Sequence, residues 1–140
     1  MAARIDWEGL IVGFESRSHQ ITHFFDRETG DVEQVLVRDG ERHAKLSADP
    51  RYVALPRDRG ERSVGDLEAF LAHCEDAACR RDLAAALQAA GSADVYRRTL
   101  LRYPREEARF FQFMEHQALE RAQAWLTGLG IPFPRRPAGA

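Results

Sequence analysis

The chain has 140 residues, is 44% hydrophobic and 30% charged, and carries a formal net charge of −2. These are the proportions of a globular domain, large enough to bury a core without disulfides or metal, and the near-neutral balance gives no global pull toward nucleic acid or acidic lipid. No apolar run reaches the length of a membrane span, and no basic segment leads into an apolar core at the start, so no membrane partner is expected.

The two cysteines suit a reducing compartment as free thiols, and the expected location is the cytoplasm. Arg occurs nineteen times and Lys once, at Lys45. Any basic patch is therefore suited to forked, planar contacts.

In chain order, the first element is a helix over 6–16. Trp7, Leu10, Ile11 and Phe14 share one helical face, and Asp6 can cap it; the rival reading is a strand with Leu10, Val12 and Phe14 alternating. A hairpin follows. Residues 21–25 and 32–37 are rich in β-branched and aromatic types, and the polar run between them ends in Gly30, which can take the positive φ of a tight turn. Residues 39–50 are polar and read as a loop. Arg51 to Leu55 read as a short third strand stopped by Pro56. The stretch from Arg57 to Arg62 reads as a solvated connection.

The second half reads as helical. Ser63 with Asp66 resembles a capping box, and Val64, Leu67, Phe70, Leu71 and Cys74 form an apolar stripe. Asp76 can cap the next helix, with Cys79, Leu83, Ala86, Leu87 and Ala90 on one side and Gly91 as its C′ residue. Ser92 can start a third helix carrying Tyr96, Leu100 and Tyr103. Pro104 belongs in the first turn of the last helix, over about 105–127, with Phe111, Met114, Ala118, Ala122 and Trp125 as its stripe. The expected fold class is α+β: a small antiparallel sheet near the N-terminus packed on a mostly helical C-terminal half. One domain is expected over 1–133, with its β-containing part at 1–56, its helical part at 63–128, and a disordered tail at 134–140.

Several segments together resemble a bacterial group known as uncharacterised protein family 158. They are the turn Glu28-Thr29-Gly30-Asp31-Val32, the run from Asp49 to Pro56, Gly91 with Tyr96-Arg97 and Leu100, Phe110-Phe111-Gln112-Phe113, and Trp125-Leu126 with Gly130-Ile131-Pro132-Phe133. They keep the family's order over about residues 6–133. The resemblance implies a small intracellular bacterial protein of mixed helix and strand, and it implies no activity. The chain departs from the pattern after Gly91. The family carries a Phe and two Arg there, and this chain has Ala93, Asp94 and Val95. The acidic insert after the hairpin is also shortened.

Three groupings could carry chemistry. Asp26-Arg27-Glu28-Thr29 resembles the first motif of DEDD exonucleases, where two acids hold a metal pair that serves both attacking and leaving oxygens. His116 and Glu120 do not complete that set, and the same residues read as a plain turn, the preferred reading. His73, Cys74 and Cys79 lack a second ligand pair for zinc and read as packed thiols. Ser16, Ser18 and His19 lack a nucleophile elbow. No catalytic residue, metal or cofactor is expected.

The Arg-rich run is the candidate nucleic-acid surface, through Arg97, Arg98, Arg102 and Arg105. Phe113 falls about 160° from Phe111 on a helical wheel. Either the last helix is covered on two sides, or Phe110 and Phe113, with Arg109 and His116, are the candidate contact residues for a protein partner, since aromatic and Arg side chains dominate interface hot spots. The expected function is a non-enzymatic interaction or regulatory module, self-associating through the last helix, with nucleic-acid binding as the alternative.

Overall fold

Residues 21–26 and 32–36 are rich in β-branched and aromatic or aliphatic types, and both runs are strands in the computed structural model, which describes residues 4–16, 18–56 and 61–134. The fold is α+β, with a three-stranded antiparallel sheet near the N-terminus and helices over most of the remainder. The chain separates into two compact units: residues 1–57 with 118–140, and residues 58–117.

In the first unit, Asp6 caps α1 (Trp7–Glu15) by accepting from the Gly9 N–H at 3.0 Å. Strand β1 (Ile21–Asp26) is central in the order β2-β1-β3, paired with β2 (Val32–Leu36) and β3 (Tyr52–Ala54). Side chains alternate between the two faces. Phe25, Val32 and Leu55 pack with Leu10, Ile11 and Phe14 of α1 and with Ala118, Ala122 and Leu126. On the opposite face Phe24 and Val35 pack with Leu46.

Leu46 belongs to α2 (Gly40–Ala48), which corrects the expected loop over 39–50. Asp39 caps this helix, and Leu46 is its one buried residue. A helix held by a single apolar anchor leaves almost no stripe to read.

The second unit is helical. Helix α3 (Glu61–Leu71) is already under way at Glu61, so the expected start at Ser63 is corrected. Asp66 serves the interior instead, buried and accepting from Gln117 Nε2 at 3.3 Å. Asp76 caps α4 (Ala77–Ala86) through the Cys79 N–H, as expected. Gly91 does not close that helix. It stands at φ 66° as the N-cap of α5 (Ser92–Leu100), and Ser92 is the first helical residue.

Pro104 opens α6 (Pro104–Gly128), where its missing N–H costs nothing. The residues of α6 up to Gln117 belong to the second unit, and those from Ala118 to the first. The second core joins Phe70, Cys74, Cys79, Leu83, Tyr96, Leu100 and Phe110. The Tyr96 hydroxyl donates to the Leu67 carbonyl at 2.9 Å, which satisfies a polar group deep in that core. Most of the tail expected to be disordered, and the connection at 57–60, lie outside the described residues.

Candidate interaction surfaces

The hairpin turn is built around Asp26. Its carbonyl accepts from the Gly30 N–H at 2.8 Å, and Gly30 takes φ 79°. Its carboxylate accepts from the Glu28 N–H at 2.9 Å and from Arg51 through two parallel bonds, Nε to Oδ1 at 2.8 Å and Nη2 to Oδ2 at 2.7 Å. Arg51 Nη1 also reaches Glu28 Oε2 at 3.3 Å. The guanidinium thus stands between the two acids that the exonuclease motif would turn toward metal. It is the chief cause holding the Asp26 carboxyl well below its ordinary range. Among the described residues, no three His, Cys, Asp or Glu side chains are grouped to hold a metal ion.

Cys74 and Cys79 are buried, and the His73 ring packs tilted against Phe113 with ring centroids 4.9 Å apart. Burial is the main cause pushing the Cys74 thiol up to about 12. Both sulfurs act as small core hydrophobes.

Two arginines of the Arg-rich run are answered by acids. Arg109 pairs with Glu75 at 2.5 Å and with Glu106 at 3.8 Å, and Arg102 lies 3.6 Å from Asp82. An open groove of about 620 Å³ beside the start of α6 is lined by Arg102, Arg105 and Arg109, but also by Glu75, Asp76 and Glu106. Three cations against three carboxylates leave little field for a phosphate chain. Arg97, Arg98 and Arg105 are exposed and make no side-chain hydrogen bond or ion pair among the described residues.

The aromatic residues of α6 face the other way from expectation. Phe110 is 5% exposed, its ring 5.4 Å from Phe70 and 5.7 Å from Tyr96. Phe113 is half-buried against Phe70 and His73. Phe111 is the exposed member, at 50%. Steps of three and four fit Phe110 or Phe111 equally well, and the rings of α3 and α5 select Phe110. Phe110 and Phe113 therefore form no exposed patch. Of the other contact candidates, Arg109 is committed to its ion pairs, and His116 is exposed on α6.

Two features were not singled out from the sequence. His23 is buried, its Nε2 makes no hydrogen bond, and it lines a cavity of about 20 Å³ with Gly13, Ser16 and Ser18. Burial holds its pKa below the ordinary value. A lone His in an aromatic strand carries no signal of this.

The second feature is the outer edge of β2. Asp26 N–H bonds Asp31 O and Val37 N–H bonds Gln20 O, each at 2.8 Å. With the register Thr22↔Val35 and Phe24↔Glu33, these bonds turn the N–H and C=O of Val32, Gln34 and Leu36 away from β1. Val32 N–H donates to Asp6 Oδ2 at 3.4 Å, and Leu36 C=O accepts from Asp39 N–H at 3.0 Å. The other four groups, Val32 C=O, Gln34 N–H, Gln34 C=O and Leu36 N–H, make no hydrogen bond among the described residues. The opposite edge is blunted: β3 has three residues and Pro56 follows shortly after. The readable signal was that β2 contains neither proline nor lysine.

No family model, curated protein or solved structure matches this chain.

Proposed function

We propose that this chain is a non-enzymatic protein-interaction module that captures an extended segment by strand addition along β2. The observation that carries the reading is the row of four backbone groups from Val32 to Leu36 that are unpaired among the described residues. Such a row is a template for another strand, with backbone bonds giving affinity and alternate side chains giving selectivity. Leu36, 40% exposed at the end of the row, offers apolar surface to an incoming strand. Likeness to protein family 158 remains part of the proposal and assigns no chemistry. The contact surface moves from the last helix to the sheet because Phe110 and Phe113 turn inward.

The test is an amide-resolved titration with a short peptide of alternating Val and Thr. The Gln34 and Leu36 amides should shift and gain protection from exchange, and Gln34→Pro should abolish both effects. Gln34 makes no ladder bond to β1, so proline there removes only an outward donor. Unmoved Gln34 and Leu36 amides in a monomeric chain would overturn the reading.

The alternative is phosphate binding by Arg97, Arg98 and Arg105, supported by their exposure without acidic partners. It requires salt-sensitive retention of an oligonucleotide, weakened by Arg98→Glu.

A further inference from the structure

We infer that the strand docked on β2 is β2 of a second copy of this chain, antiparallel about a two-fold axis through Gln34. The inference rests on the strand-addition reading and names its partner.

The argument begins with the hydrogen-bonding groups themselves. In an antiparallel pair centred on Gln34, Gln34 faces its own twin and Val32 faces Leu36 of the other copy. Each Gln34 N–H then meets the other Gln34 C=O, and each Leu36 N–H meets the other Val32 C=O. Those are the four groups of each copy that lack partners among the described residues. The remaining two outward groups, Val32 N–H and Leu36 C=O, are already held by Asp6 and Asp39. Within this register every unpaired group finds a complement and none is left over.

Side chains agree with the register. Glu33, the one charged residue of β2, faces Val35 of the other copy and stays with its own Arg42 at 3.3 Å. No like charges stand directly opposite, which would be destabilising. Val32 and Leu36 become cross-strand neighbours and cover the exposed leucine. At each end of the ribbon, Asp31 of one copy lies at the end that carries Arg38 of the other, so the flanking charges are opposite in sign. An isologous contact of this kind closes on itself and leaves no open edge to propagate.

The experiment uses the full chain. Light scattering after size exclusion, over a wide concentration range, should give twice the monomer mass, and Gln34→Pro and Leu36→Lys should each return the monomer mass. Under oxidising conditions Gln34→Cys should form a covalent dimer, because directly opposed residues of such a pair lie about 5.5 Å apart at Cα, within disulfide reach. Val37→Cys should not, because its twin is far along the ribbon. Circular dichroism of each variant establishes that it is folded, and the cysteine pair does not depend on either edge variant.

A monomer at every concentration, with the Val/Thr peptide still shifting Gln34 and Leu36, overturns this inference and leaves strand addition standing. A monomer whose edge amides ignore the peptide overturns both. A dimer indifferent to Gln34→Pro and Leu36→Lys, with no Gln34→Cys cross-link, also overturns the inference.

Discussion

Arg51 and Asp26, 25 residues apart, meet fork to fork, with both guanidinium bonds shorter than 3 Å at 2.8 and 2.7 Å. One side chain thereby ties β3 to the hairpin turn and fixes the loop that a motif search would read as catalytic. Such bidentate pairs add geometric specificity as well as energy.

Replacing Asp26 by Ala should therefore loosen the turn without touching any contact surface. Hydrogen bonds to charged groups contribute about 1.5–3 kcal/mol, so a loss of roughly 2–3 kcal/mol is expected in urea unfolding. An unchanged midpoint would mean that the pair is ornamental. Gln34 and Leu36 amide exchange should stay the same as in the parent chain.

Acid should weaken the fold in two stages. His23 has a folded pKa below its ordinary 6.5, because burial penalises the imidazolium. The unfolded chain then binds more protons, so stability is complete above about pH 6.5 and falls as pH drops below it. Asp26 is also depressed from its ordinary 3.8, chiefly by Arg51, so its contribution persists above that value and disappears as pH falls further toward its folded pKa. Unfolding free energy followed from about pH 7 to about pH 3 should show the first decline early and the second near the end. His23→Asn should remove the early decline alone.

The two neighbouring phenylalanines of α6 should behave oppositely. Phe110→Ala empties a site among Phe70, Tyr96 and Leu100 and should cost about 3–5 kcal/mol. Phe111→Ala, on the exposed side, should stay within about 1 kcal/mol. Phe113→Asp should also destabilise, because its ring packs on Phe70 and His73. Thermal melts of the three variants provide the check, and equal losses at Phe110 and Phe111 would contradict the packing.

Two glycines with positive φ separate backbone strain from crowding. At Gly91, φ 66°, an added Cβ meets nothing within 4 Å, so Ala should cost only the left-handed penalty of about 1–2 kcal/mol. At Gly30, φ 79°, the same atom would fall 1.8 Å from the Arg4 carbonyl oxygen. Gly30→Ala should thus be clearly the worse of the two in denaturant titration, since the Arg4 backbone must also move.

Much of the architecture was legible because local chemistry and tertiary packing agree there. The Asp6 and Asp76 caps, the Gly30 turn, the Pro104 start and the strand run before Pro56 all stand where their residue types ask them to. α2 was hidden because one buried leucine makes no stripe. Gly91 reads as the end of α4 because a left-handed glycine serves either side of a junction. Ser63 reads as a helix start because a serine and an acid three apart fit a helix interior as well as its start.

Composition and periodicity were enough to determine an α+β chain with a hairpin near its start and a long terminal helix, since those features depend on neighbours within a few positions. Which face of α6 is buried, which arginines are neutralised, and which strand edge stays open depend on residues brought together from far along the chain. The pairing of Asp6 with Val32, and of Asp39 with Leu36, leaves four backbone groups of β2 unpaired among the described residues. Only the folded register could select those four, because a backbone donor carries no side-chain signature.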